Sequence, residues 1–222
     1  RGTFITARSY LDHLENPDYL RYYYFSKLND TMEDIDLNLD DFLTKVNSDL
    51  VGKLVNIPSR TSGFLDKFFE NKIFPSKSFK TKEATELIHG ILKSKEQIMS
   101  SYDHRQFSKA SRLIVSCIES VNEYVNNQEP WVLAKDNVNH CEGSNLHEIC
   151  SVSLLSFRLI CIYASPIMPA LTSKVANFFI ESEYQSIEVI NEEPSSVNSY
   201  SHLLKRVEEK DIDSMIDENI NT

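Results

Sequence analysis

The chain has 222 residues, 41% of them hydrophobic, with only five glycines and seven prolines. That is enough apolar material for one large domain, or one domain with appendages, and too little turn chemistry for a β-rich fold. A formal net charge of −10, read as one number, argues against a nucleic-acid binder. The charges are unevenly spread, however. Residues 44–82 hold eight Lys or Arg against three acids, residues 30–41 hold six acids and no base, and residues 181–222 hold eleven acids and three bases. A basic segment between acidic ones is the footprint expected for a polyanion. A solvated helix face beside an acidic tail gives the same pattern, and charge alone favours that second reading. Four cysteines, Cys117, Cys141, Cys150 and Cys161, form no C-x-x-C pair. This fits a reducing, cytoplasmic compartment rather than a disulfide framework. The chain opens without an apolar stretch of signal-peptide length. Its most apolar run, residues 154–168, contains Ser156, Arg158 and Ser165, so it is too short and too polar to span a bilayer and no membrane is expected.

In chain order, residues 3–11 read as a short strand running into a helix start. Pro17 suits the first turn of a helix that continues through residues 18–28. Residues 30–42 are too acidic for a core and should connect two units, with Asn38, Asp40 and Asp41 suited to a helix N-terminus. From Leu39 onward Phe42, Leu43, Val46, Leu50, Leu54 and Ile57 recur at threes and fours, giving a helix with one apolar stripe. Gly52, Asn56 and Arg60 are spaced by four on another face, which makes Asn56 and Arg60 neighbours one turn apart. Pro58 lies between them and should kink or end the helix. A second helix is expected over 82–102. A third, over 107–127, should stop before Pro130 and leave Trp131, the single tryptophan, at a helix end. A fourth should open on Asn145 and Glu148 as a cap and run to Ala164, apolar nearly all round and therefore central. Pro166 and Pro169 break it, and residues 170–180 form a fifth. Residues 186–201 read as a linker, and 201–220 as a short charged helix.

The residues that could carry chemistry are few. His140, Cys141, His147 and Cys150 are zinc-ligand types, but their spacing matches no paired-ligand knuckle. Cys150 and Cys161 sit on an apolar helix face and should point inward. No nucleophilic triad, glycine-rich phosphate loop or close carboxylate pair stands out, so no catalytic residue is expected. What remains is Asn56 and Arg60 on one helix, together with Trp131. An amide and a guanidinium can read base edges, and an indole can stack on an unpaired base for roughly 1–3 kcal/mol. Single-stranded RNA loops are read by this mix. Taken alone, the residues leave this open against a buried tryptophan and an ordinary polar face, and favour the latter.

A family resemblance changes that balance. Residues 1–60, beginning RGTFITARSYLDHLENPDYLRYYY, then NEYVNNQEPWVLAK (122–135) and PIMPAL (166–171) closely resemble bacterial-type methionyl-tRNA synthetase, in the right order and spacing across nearly the whole chain. The resemblance implies a mainly α fold, with the anticodon-binding helical bundle of class I aminoacyl-tRNA synthetases at residues 41–197. A small α/β stem-contact segment (1–40), at the end of the catalytic half, would precede it. A linker and helix (198–222) would follow and pack back toward that half. The family's K-M-S-K-S type loop would come immediately before Arg1, and the nucleotide-binding catalytic domain, with its zinc site, upstream of that.

The parent would then be a methionine–tRNA ligase using ATP with magnesium, while this chain would hold no cofactor or metal and be inactive alone. Its partners would be the anticodon loop and stem of methionine tRNA and the N-terminal catalytic domain. Carried over from the family, Asn56 and Arg60 contact the CAU anticodon, chiefly its first base, cytosine. Trp131 stacks on anticodon bases, with Pro130 fixing the turn. Gly52 stands where many relatives carry Asn, Asn126 stands where some carry Asp, and Pro58 bears on the angle between Asn56 and Arg60. Two other readings stay open: the bundle of another class I synthetase, of cysteinyl or valyl type, which fits EPWVLAK less well, and a non-catalytic helical scaffold that binds protein.

Overall fold

In the computed structural model, residues 5–31, 34–135, 140–184 and 186–220 are described, residues 217–220 by backbone alone. Thr6 decides the first element. Its hydroxyl accepts the N–H of Ser9 and opens α1 (Ala7–Leu14), so of the short strand and helix start expected over 3–11 the described residues show only the helix start. A threonine followed three residues later by a satisfied N–H is a helix start, and the cap outweighs the β-prone residues around it. Among the described residues there is no strand, only an isolated antiparallel bridge between Lys72 and Ser196. Helix α2 (Pro17–Lys27) opens on Asn16, whose side chain accepts from the N–H of Asp18, with proline in the first turn.

The helix expected from Leu39 is built in three pieces. α3 (Leu39–Lys45) is capped by Asn38, which accepts from the N–H of Asp41. A nine-residue π-helical stretch, Val46–Leu54, follows, and then α4 (Asn56–Phe69). The N–H of Val55 donates to the carbonyl of Leu50, five residues back, at 3.0 Å. Such turns are rare and concentrate near functional sites. The apolar stripe survives the change, with Phe42, Val46, Leu50, Leu54 and Ile57 all buried. Pro58 therefore neither kinks nor ends a helix. It sits in the first turn of α4, where its missing N–H has little to bond to, and the break falls just before it at Val55.

Helices α5 (Lys82–Asp103), α6 (Phe107–Gln128), α8 (Asn145–Ala164) and α9 (Pro169–Phe178) follow the expected periodicities, with α10 (Glu209–Ile220) beyond them, and a single turn, α7 (Pro130–Leu133), stands between α6 and α8 where no helix was expected. α8 is the axis of the bundle. It packs against α4, α5, α6 and α9, and every residue from Leu146 to Ala164 is buried. It is long and apolar enough to cross a membrane, but its surface is entirely covered by its neighbours.

Two charges are buried within α8, and each is matched. Arg158 makes a two-pronged bond to Glu181, Nε to Oε2 at 2.6 Å and Nη2 to Oε1 at 2.5 Å, and also donates to the carbonyl of Val189. Glu148, expected to cap its own helix, serves another instead. Its carboxylate accepts the N–H of Lys80 at 2.5 Å, the N–H of Thr81 at 3.0 Å and the Thr81 hydroxyl, at the mouth of α5. A buried carboxylate needs several donors, and the chain entering α5 offers them where the start of α8 does not.

The stretch read as a linker is held in place. It contains a 3₁₀ turn, Ile187–Asn191, and buried Ile190 and Val197. The N–H of Ile73 donates to Ser195 O, that of Val197 to Asn71 O and that of Asn198 to Phe178 O. Further on, Asn47 grips the backbone of Val207 from both sides, Nδ2 donating to its carbonyl at 2.8 Å and Oδ1 accepting its N–H at 2.9 Å. Only at Glu209 does α10 begin, later than expected, and it packs on α1. One hydrophobic cluster runs from Tyr10 to Met215.

Candidate nucleic-acid interface

Trp131 owes its position to Glu129. That residue adopts a left-handed conformation (φ 45°, ψ 55°) and closes α6 by donating its N–H to Val125 O at 3.1 Å. A non-glycine residue there costs about 1–2 kcal/mol, held by the surrounding packing. The helix thus stops one residue before Pro130, which is buried and opens α7 in the position where proline costs nothing. Trp131 is the second residue of that turn, half-buried, with part of its ring against the core.

The exposed part of the ring is occupied by Arg60. Its guanidinium carbon lies 4.6 Å from the ring centroid, in cation–π range. Arg60 projects from the second turn of α4, and among the described residues it has no carboxylate partner. Asn56, one turn earlier, is half-buried and tied to α6, its Nδ2 donating to Asn122 Oδ1 at 3.5 Å. The structure therefore brings Arg60 and Trp131 together and places Asn56 on the same helix face, anchored sideways. Pro130 contributes backbone geometry rather than an exposed surface. Asn126 is exposed one turn beyond Asn122. At Gly52 a Cβ would meet Asn47 O at 3.1 Å, so a larger residue there needs the π-helical stretch to give by a few tenths of an ångström.

The basic segment is not a single free patch. Lys45 and Lys53 both face Asp49, at 3.2 and 3.8 Å, and Lys53 also bonds Glu119 at 2.7 Å. The Glu119 carboxylate, beside Lys53, raises that lysine's pKa. Lys72 pairs with Glu70 and Lys82 with Glu86. Among the described residues, Arg60, Lys67, Lys77 and Lys80 have no carboxylate partner, and Lys80 instead donates to Gly143 O at 2.6 Å. Half of the eight basic residues of this segment are thus ion-paired on the surface. Arg60 is the unpaired cation that sits against an aromatic ring at the α4–α7 junction.

The His/Cys group offers no metal centre. His147 has both ring nitrogens engaged, Nδ1 accepting the N–H of Gly143 and Nε2 donating to Lys72 O, each at 3.0 Å. It stacks on Phe69 at 4.1 Å, and burial lowers its pKa below the ordinary imidazole value. Burial pushes the Cys150 and Cys161 thiols well up, so neither supplies a thiolate. Cys141 is exposed. No group of three or more His, Cys, Asp or Glu converges among the described residues.

Sequence reasoning missed Asn122 and Glu129. The first is one asparagine on a polar helix face. The second is a glutamate at a backbone position that normally signals itself by glycine.

A half-buried tryptophan under an unpaired arginine, beside an amide, offers a stacking face and directed hydrogen bonds at one place on the helical bundle. A family model described as "tRNA synthetases class I (M)" matches residues 1–62, a range that takes in Asn56 and Arg60. The individual relatives carry the name methionine–tRNA ligase. The chain is 43% identical over 221 residues to that of Ralstonia nicotianae, covering 99% of this chain and 31% of the relative. It is 42% identical over 224 residues to that of Psychrobacter cryohalolentis, covering 98% and 30%. The chain is thus similar to a C-terminal portion of these enzymes and spans about 30% of their length. Among solved structures, apo methionyl-tRNA synthetase of Mycobacterium tuberculosis superposes with a TM-score of 0.76 over 89% of this chain and 40% of that one. At 17% identity, that likeness speaks for the fold.

Proposed function

We propose that this chain is the anticodon-reading part of a methionine–tRNA ligase. The observation that carries the proposal is the apposition of Arg60 and Trp131 at 4.6 Å, with Asn56 one turn away. The indole offers a stacking platform, while the guanidinium and the amide offer directed hydrogen bonds to base edges. In the free chain Arg60 covers the ring, so a base that stacks there displaces the guanidinium and releases it to bond the anticodon. Stacking on the indole and loss of the cation–π contact partly offset each other, which leaves selectivity to the hydrogen bonds. The CAU anticodon, its cytosine above all, is the ligand this reading assigns.

On the same reading, residues 1–40 form the stem-contact segment, 41–197 the anticodon bundle, and 198–222 the segment that returns toward the catalytic half. The packing of α10 on α1 supports that return. On this reading the sites for methionine, for ATP with magnesium, and for zinc would lie outside this chain, and the whole enzyme would act in the cytoplasm. The chain's own share is to bind and orient methionine tRNA through its anticodon loop and stem, with no chemical step.

The test is an equilibrium titration with a CAU stem-loop RNA, followed by Trp131 emission, since Trp131 is the one tryptophan in the chain. The signal should change on binding, and Arg60→Ala should weaken the cognate loop by one to two orders of magnitude more than a loop lacking the first cytosine. Equal weakening of both loops reduces Arg60 to a phosphate contact. An unchanged signal overturns the stacking.

A further inference from the structure

Asn122, on α6, stands behind Asn56. Its Nδ2 lies 3.1 Å from Lys53 O and 3.0 Å from Ile118 O. Both are carbonyls and can only accept, so the nitrogen of that amide must face them and its oxygen must face away. The carbonyl of Lys53 can take no π-type bond from within its own helix. Five residues on, where the next π turn would bring an N–H, stands Pro58. Asn122 supplies the donor that proline cannot. Its Oδ1 is then left pointing at Asn56, whose Nδ2 is 3.5 Å away. Asn56 is held with its NH₂ turned toward α6, and among the described residues its Oδ1 accepts no hydrogen bond.

We propose that Asn122 is a positioning residue: by fixing which end of the Asn56 amide is spent on α6, it makes Asn56 present an acceptor, so that cytosine is selected over uracil. The proposal rests on the anticodon reading above. Cytosine carries an amino donor where uracil carries a carbonyl acceptor. An acceptor at Asn56 Oδ1 bonds the first and repels the second. An amide free to rotate would serve either base. Asn56 alone therefore does not define the preference. The order of groups Pro58, Lys53 O, Asn122, Asn56 does, and each member follows from the one before it.

The experiment compares the affinity of the 222-residue chain for two stem-loop RNAs, with loops CAU and UAU, by anisotropy of end-labelled RNA. The wild-type chain should prefer the cytosine loop by on the order of tenfold or more. Asn122→Leu keeps the size of the side chain and removes both of its polar ends. It should cut that preference by about tenfold, chiefly by bringing the uracil loop closer, with the melting temperature as a check on folding. A merely structural role would weaken both loops alike and leave the ratio untouched, and that result overturns the proposal. Side-chain amide NMR of the wild-type chain gives a second readout without RNA. The Asn56 NH₂ pair should be shielded from exchange, and a solvent-like pair overturns the proposal even if the variant fails to fold. A wild-type chain indifferent to the two loops overturns the anticodon reading itself, whereas a preference that survives Asn122→Leu overturns only the part given to Asn122.

Discussion

The grip of Asn47 on Val207 can be tested by cutting it. Asn47 is buried, and its two side-chain bonds at 2.8 and 2.9 Å satisfy both the carbonyl and the N–H of Val207, itself 3% exposed. Asn47→Ala removes two hydrogen bonds, each with a net contribution of about 1 kcal/mol, and strands two backbone groups that water reaches poorly. The total is about 3 kcal/mol. The loss is local, because what Asn47 holds is the return segment with Leu203, Leu204, Val207, Ile212 and Met215, all buried on the body. Opening of that segment should therefore become on the order of a hundredfold more frequent. Trypsin reports it directly, since Lys205 and Arg206 lie within the segment and cleavage at native concentrations follows the open population. The variant should be nicked there about a hundredfold faster, while Lys93, on the exposed face of α5, is cut at the wild-type rate. A rate within twofold of wild type refutes the clamp. Equal acceleration at Lys93 would show global unfolding instead of local release.

Two further outcomes follow from buried charge. His147 is held neutral in the fold, with its pKa lowered by burial from an ordinary value of 6.5. Below pH ~6.5 the unfolded chain takes up a proton that the folded chain refuses. Stability is then complete above that pH and is lost as pH falls toward the lowered folded value, by at most about 1.4 kcal/mol per unit. Urea unfolding at pH 7.5 and 5.5 should show that loss in wild type and less of it in His147→Gln, whose amide can both accept from Gly143 and donate to Lys72; identical losses would dismiss His147 as the cause. Glu181→Gln leaves the Arg158 guanidinium, with only 2% of its side chain accessible, without its counter-charge. It should cost about 3–5 kcal/mol in urea unfolding, while Arg158→Met combined with Glu181→Leu should recover most of that. A double variant no better than the single one would show that packing, and not charge, governs the pair.

Much of the helical frame was legible because side-chain periodicity and capping chemistry are local. Asn16–Pro17, the stripe of α5 and α6 and the all-round apolar α8 each announce themselves within a few turns. What escaped depends on partners distant in the chain. Glu148 looked like the cap of its own helix because nothing near it in sequence shows that the mouth of α5 lies alongside. Residues 186–201 looked free because their bonds go to Asn71, Ile73 and Phe178, and residues 202–208 looked helical because the bond that holds them extended goes to Asn47. The π stretch was hidden for another reason: threes and fours between apolar residues are compatible with both hydrogen-bond patterns, so Pro58 was read as a defect when it is a first-turn residue. In the candidate site, the resemblance drew Asn56, Arg60 and Trp131 together. Spacing had joined only the first two, and 71 positions separate Arg60 from Trp131 in the sequence. Asn122 required the backbone carbonyls around it before its orientation had any meaning.

The nine residues Val46–Leu54 also act as a phase adjuster. A π turn takes in more residues than an α turn for the same rotation, so the stretch resembles a helix that has absorbed an insertion without losing its buried stripe. Each residue of α-helix turns the chain by about 100°. A one-residue deletion here, at Gly52 for instance, that is not taken up by a return to ordinary α-helix removes about that much rotation. α4 would then be swung by about that angle relative to α3, carrying Arg60 away from Trp131 with no contact residue altered. For relatives of this chain the length of the segment is therefore as binding a constraint as its composition. Gaps that fall inside it should be rarer than substitutions.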